Sequence, residues 1–231
     1  MERIVEPEWL DALPARDRRA LRSRRDIRRL NFWMGHARIL ARALRKHWSE
    51  PAPIRLAEIG AGDGLFLLSV AKRLRKAWPA VNVTLVDRQD VFAASTRVRL
   101  QRLGWNARLE LADVTDWLRQ AEPPQTDILI SNLFLHQFPT GELQEILRLA
   151  AAKARLVIAV EPLRSEGAHL MGKFLWLAGC GPVTRHDGPV SIRAGFAGQE
   201  LSALWPDAAN WELQEQPAGS FSHLFVARRK A

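Results

Sequence analysis

The feature that most constrains this chain is a glycine-rich loop, Glu58-Ile59-Gly60-Ala61-Gly62-Asp63-Gly64, set between a strand-like run and an amphipathic helix. Ile54 to Ile59 reads as a buried strand, and Leu67, Val70, Ala71, Leu74 and Trp78 recur at helical spacing just after the glycines. Glycines at such a junction let the backbone turn sharply and approach a ligand where a Cβ would collide. The start of the helix brings unpaired N–H groups to the same place. The spacing is G-x-G-x-G, which separates the loop from the G-x-G-x-x-G of dinucleotide sites. A bare strand-to-helix turn is the competing reading, and two acids further along weigh against it.

Downstream, strand-like and helical runs alternate. Val81 to Val86, Arg108 to Leu111, Asp127 to Ser131 and Leu156 to Val160 read as further strands, and Glu122-Pro123-Pro124 as a turn. Arg88 to Leu103 reads as helical, and Thr140 caps a helix that turns Leu143, Ile146, Leu147 and Ala150 inward. Such alternation implies a parallel sheet covered on both faces. The end of the chain breaks the rhythm: only Gln216 to Ser220 separates the strand-like runs Trp211 to Glu215 and Phe221 to Ala227. That is too short for a helical crossover, so the two pair as an antiparallel hairpin. A long insertion, 163–205, with an apolar helix-like stretch from Leu170 to Cys180, is placed to cover a crevice at the sheet's carboxyl edge.

Ahead of the first strand, Pro14 suits a helix start and Ala15 to Leu30 reads as a polar helix dominated by arginine. Leu30, Trp33, Met34, Ala37, Leu40, Ala41, Leu44 and Trp48 then form an apolar stripe, and Ser49 to Pro53 marks the junction to the main domain. The expected organisation is a helical cap, 1–50, on a core, 51–231, with a lid at about 163–205. Charge follows the same division. Arg16 to Lys46 holds twelve Lys or Arg against two Asp, which exceeds the net charge of +9 for the whole chain. Arg18, Arg22, Arg25 and Arg29 share a helix face that suits phosphates, anionic lipid or only water. The single cysteine, Cys180, excludes an internal disulfide and a Cys-based metal cluster, and no metal site is expected. No apolar run reaches the ~18 residues of a membrane span, and Met1 to Glu8 lacks a signal core, so a cytoplasmic location is expected.

Asp87 ends the second strand, where a carboxylate accepts hydrogen bonds from both ribose hydroxyls of a nucleoside. Asp113 follows the third strand, where it suits an adenine amine, with the backbone N–H of Val114 beside it. Taken singly, each aspartate fits a helix cap or a solvated strand end equally well. Together with the glycine loop they point to one crevice.

These segments, with the run Asp127 to His136, resemble the successive motifs of class I S-adenosylmethionine-dependent methyltransferases. The resemblance covers about 54–231 and implies a Rossmann-like, seven-stranded, mostly parallel sheet with the terminal hairpin antiparallel. It also implies S-adenosylmethionine as cofactor, S-adenosylhomocysteine as product, and Glu58, Gly60, Ala61, Gly62, Gly64, Asp87, Arg88, Asp113, Val114 and Asn132 as the cofactor's contacts. Asn31, Gly35 and Arg38 are similar in type and spacing to the segment before the core in quinone-biosynthesis methyltransferases, which adds Arg38 to that set. The stretch Thr184 to Arg193 with Phe196 resembles the lid of small-molecule methyltransferases acting on phenolic, quinone or polyketide-derived rings. The arginine-rich helix before Asn31 departs from those families.

Methyl transfer from a sulfonium is an in-line displacement, and a hydroxyl acceptor must also lose a proton. His136, just beyond the fourth strand, and His186, in the lid beside Arg185 and Asp187, are the candidate bases in a chain without tyrosine. A packed His136 and a turn at Asp187-Gly188-Pro189 are the competing structural readings. Trp33, Met34, Phe174 and Trp176 suit the wall of an aromatic pocket or a plain core. A small aromatic acceptor is the leading expectation. RNA, held by the arginine-rich helix, is the alternative, though Ser131-Asn132-Leu133-Phe134 lacks the Pro-Pro-aromatic pattern of enzymes that methylate base amines. A nucleoside-binding module without turnover is a third reading.

Overall fold

In the computed structural model, residues 1–51, 54–120 and 126–230 are described. The expected turn at Glu122-Pro123-Pro124 and the last two residues of the 49–53 junction lie outside them. The chain opens with α1 (Trp9–Ala12), α2 (Arg18–Met34) and α3 (His36–His47). Alternation follows: β1 (Ile54–Ile59), α4 (Leu65–Leu74), β2 (Val81–Asp87), α5 (Ala94–Gln101), β3 (Trp105–Leu111), α6 (Val114–Arg119), β4 (Thr126–Asn132), α7 (Thr140–Lys153) and β5 (Ala154–Pro162). The insertion carries α8 (Glu166–Gly172), α9 (Pro182–Ala194) and α10 (Glu200–Leu204), and the chain ends with β6 (Trp211–Pro217) and β7 (Ser222–Arg229).

The seven strands form one sheet in the order β3-β2-β1-β4-β5-β7-β6, with β7 antiparallel to both β5 and β6. The expected hairpin is therefore present, and it folds back so that its second strand, not its first, joins β5. Central strands are buried on both faces, which is why β4 and β5 are almost uninterrupted in their apolarity. Their residues divide with period two. Leu56, Ile128, Ile130 and Ile158 pack with α3 and α4, whereas Ala57, Ile59, Leu129, Val157 and Ala159 pack with α7 on the other face. Chain leaving β1 thus goes to one face and chain leaving β4 to the other, although β1 and β4 are neighbours. A crevice opens where such paths diverge, at the strands' carboxyl ends.

The helical cap differs from its sequence reading in detail. Asp17, not Pro14, starts the long helix by accepting the Arg19 N–H at 2.8 Å. Gly35, at φ +72°, splits the expected continuous stripe into α2 and α3. Arg88 to Leu103 is helical only over α5, and the third strand starts earlier than expected, at the fully buried Trp105. The stretch Leu170 to Cys180 is not one helix: α8 stops at Gly172 and a chain of turns continues to Gly179. Asp187-Gly188-Pro189 is not a turn either, for all three residues lie inside α9. Contacts override local preference there. A Cβ on Gly188 would sit 2.3 Å from Leu175 Cδ1, so this glycine is needed where another side chain packs on the helix. Among the described residues, no helix is long and apolar enough to cross a membrane.

Candidate active site

A cavity of about 760 Å³ occupies the crevice, within the roughly 300–1,000 Å³ typical of small-molecule sites. Its floor is the glycine loop. Gly60, Gly62 and Gly64 have φ of +65°, +54° and +70°, a region costly for any residue with a Cβ. At Gly60 a Cβ would also meet the Phe134 ring at 2.3 Å, while at Gly62 it would meet nothing within 4 Å, so that face of the loop is open. The carboxylate of Asp87 braces the loop, accepting the Gly62 N–H and the Gln89 N–H, each at 2.8 Å. Asp113 caps α6 through the Thr115 N–H at 2.8 Å. Both aspartates line the cavity together with Glu58, Gly60, Ala61, Gly62, Arg88, Val114 and Asn132.

Glu58 is the least satisfied of these groups. It is 2% exposed, its Oε2 has no hydrogen-bond partner, and burial, then Asp63 and Asp87, push its carboxyl well above the usual range. A buried carboxyl beside two carboxylates, with an open acceptor at the cavity, fits a cationic ligand group such as an α-ammonium. The donor set therefore suits S-adenosylmethionine: acids for the ammonium and ribose, backbone for close approach.

Three candidates lie elsewhere. Gly64 sits under Phe92, outside the cavity lining, and acts as the left-handed cap of α4. Arg38 is exposed beside Gly35 and does not reach the cavity. His186 is also absent from the lining; its ring stacks on Trp9 at 3.8 Å and its Nδ1 pairs with Asp187. Asp187 in turn accepts the N–H groups of Trp9 and Leu10, fastening α1 to α9.

His136 does line the cavity, and it is neither exposed nor merely packed. Its Nδ1 meets Glu161 Oε2 at 2.8 Å and its Nε2 meets Glu8 Oε1 at 3.2 Å. Carboxylates accept only, so both ring nitrogens are donors. Burial opposes the charge, but the two carboxylates prevail and raise the imidazole pKa to about 9. Glu161 is fully buried at the end of β5. There it also accepts the Ser131 hydroxyl and the N–H groups of Phe134 and Leu135, and it orders the turn that follows β4. Despite burial, the hydrogen bond from His136 keeps its pKa low.

Sequence reasoning missed four residues here. Glu8 and Arg3 come from the irregular segment before α1; Arg3 donates to the carbonyls of His136, Phe138 and Ala194 and so ties the N-terminus to the histidine turn. Glu161 was signalled only by a lone acid ending an apolar strand. His36, buried in α3, donates from Nδ1 to Asn132 Oδ1 at 2.8 Å and accepts the Ser222 hydroxyl at Nε2. Burial lowers its pKa to about 4, so it stays neutral and positions Asn132.

Two arginines of α2 turn inward to the site. Arg28 pairs with Asp63 of the glycine loop at 2.6 Å, and Arg24 donates to Gln89 after β2 at 2.7 Å. Asp26, buried, receives the Gly181 N–H at 2.7 Å and fixes the start of α9.

Residues 56–155 match the family described as methyltransferase domain. Comparison with curated proteins gives no significant match. Among solved structures, an O-methyltransferase family protein from Burkholderia thailandensis is 15% identical, with TM-score 0.61 over 94% of this chain and 61% of its own. Mitomycin 7-O-methyltransferase is 18% identical, with TM-score 0.61 over 96% of this chain and 60% of its own. Magnesium protoporphyrin IX methyltransferase from Synechocystis PCC 6803, with bound S-adenosylhomocysteine, is 15% identical, with TM-score 0.56 over 85% and 83%. The chain thus spans about 60% of the length of the first two, and these likenesses establish the fold. Strand order, the glycine loop with its ring of acids, and the matched residues agree: the chain has a Rossmann-like methyltransferase fold, and its residues 56–155 match a methyltransferase domain.

Proposed function

We propose that the protein methylates a hydroxyl group on a small aromatic or polyketide-like acceptor, with residues 1–50 and the 163–205 insertion forming a joint cover over the cleft. The observation that carries this reading is that a single cavity is lined both by Asp87 and Asp113 and by His136. Trp33, Met34 and Phe174 line the same space and supply an apolar wall for a flat ring. Similarity to mitomycin 7-O-methyltransferase and to an O-methyltransferase family protein supports an oxygen acceptor on a small molecule.

S-adenosylmethionine, when bound, supplies a methyl group on a sulfonium. Glu58 would offer an acceptor for its ammonium and Asp87 for its ribose, while Asp113 and the Val114 N–H would suit the adenine. Transfer of the methyl to an acceptor oxygen would be an in-line displacement in which sulfur keeps the electron pair of the broken bond. His136 takes the acceptor's proton. It is charged while both carboxylates hold it, so Glu8 must give way at Nε2, leaving Glu161 to orient the ring through Nδ1. Glu8 thus occupies the position an acceptor hydroxyl needs.

Transfer of labelled methyl from the donor to phenols, quinones and pyrones, with RNA as a further arm, tests the reading. His136→Gln should lower turnover by about 10²–10⁴ with cofactor affinity nearly unchanged. The wild-type rate should rise with pH towards an apparent pKa of about 9, since the base must first lose its proton. Glu8→Gln removes one stabilising charge, so that limb should move to lower pH. Normal turnover in His136→Gln, or labelling of RNA alone, would overturn the proposal.

A further inference from the structure

The outer face of α2 is left without a role by the chemistry above. Arg18, Arg22, Arg25, Arg29 and Phe32 follow one another at spacings of three and four, so they share that face. Among the described residues, Arg18, Arg22 and Arg25 pair with no carboxylate, whereas Arg24 and Arg28 turn inward to the site. At its C-terminal end the face becomes apolar: Phe32 is 77% exposed and Trp33 58%. The turns after α8 continue it, with Trp176 54% and Leu177 68% exposed. Arg29 joins the two segments, its guanidinium lying 5.6 Å from the Trp33 ring and donating to the Ala178 carbonyl at 2.8 Å.

Single exposed apolar residues are ordinary, but a contiguous group of this size, rimmed by arginines, marks an interaction surface. Its position is informative, because Trp33 and Leu177 also line the cavity, so the patch borders the cavity's edge. Large aromatic and aliphatic tips beside unpaired cations match the two layers of an anionic bilayer surface, acyl carbon below and phosphate above. RNA would use the cations and stack on the aromatic rings but leave Leu177, 68% exposed, in water; a second copy of this chain would set arginine against arginine.

We propose that the face formed by α2 and residues 170–178 docks the edge of the cavity on an anionic phospholipid bilayer. Docking needs no covalent step and stands independently of the acceptor; the consequence that a lipophilic acceptor enters directly from the membrane rests on the proposed function.

Sedimentation of the full chain with vesicles tests the docking. Binding to phosphatidylcholine vesicles containing one quarter phosphatidylglycerol should exceed binding to pure phosphatidylcholine at least tenfold. It should fall about tenfold in Phe32→Ser/Trp176→Ser and in Arg18→Gln/Arg25→Gln, none of which lines the cavity. Calorimetry with S-adenosylmethionine verifies that each variant is folded. Equal binding to both vesicle types, variants that bind like the wild type, retention on RNA but not vesicles, or a dimer that buries Phe32 and Trp176 would each overturn the docking. Vesicle binding without methyl transfer would overturn the proposed function and leave the docking intact. Methyl transfer without vesicle binding would do the reverse.

Discussion

The cleft has two halves built on different principles. Its floor comes from the ends of adjacent parallel strands, and its ligand-facing groups are mostly backbone or lie within a few residues of a strand end. Ala61 N–H donates to the Val86 carbonyl, Asp87 braces Gly62, and Asp113 caps its own helix. The cover is assembled from residues far apart in the chain. Glu8 meets His136 across 128 positions, Asp26 meets Gly181 across 155, and Asp187 meets Trp9 across 178. A floor of this kind is rigid because the sheet over-determines it. A cover held by scattered polar contacts opens at less cost, since each is worth only about 0.5–3 kcal/mol and none is part of a ladder.

That contrast is open to direct attack. If the floor is over-determined, its least tolerant point is Gly60, where a left-handed backbone and the Phe134 ring both exclude a Cβ. Gly60→Ala should cost about 2–5 kcal/mol from strain plus overpacking, seen as a melting temperature lower by about 4–20 °C and lost cofactor binding. A melting curve like that of the wild type would show that the floor yields after all. Asp87→Ala comes next, with cofactor affinity weakened by roughly 1–3 kcal/mol as charged hydrogen bonds are lost. Calorimetry giving an unchanged affinity would remove Asp87 from the site. The smallest effect belongs to the latch between the halves. Arg28→Ala breaks a partly exposed pair with Asp63 and should cost about 0–1 kcal/mol of stability. Amide exchange should nonetheless quicken in α2 and not in β1 or β4, and uniform slow exchange would mean that cover and floor are one unit.

The same contrast explains what was legible. The hydrophobic periods of 2 and 3.6 located every strand of the sheet, most plainly the central parallel ones, whose burial on both faces leaves short apolar runs between turn residues. The glycine spacing located the floor, because only glycine tolerates those backbone angles. Asp187-Gly188-Pro189 misled, since its preference for a turn is weak beside the packing of α9 on α2 and α8. His186 misled for a related reason: its spacing to Asp187 is as suitable for holding Trp9 as for chemistry.

By itself the sequence determined the alternation of strands and helices, the antiparallel hairpin at the end and the glycine loop on the cavity floor, since each follows from covalent spacing and local backbone freedom. The tertiary structure alone decided that Glu8 and Glu161 hold His136 between them, that Arg24 and Arg28 turn inward while Arg18 and Arg25 turn out, and that Arg38 and His186 stand outside the cavity. Those outcomes depend on which distant side chains meet, and on how burial shifts a proton's balance once they do. Neither quantity is written in any single stretch of the chain.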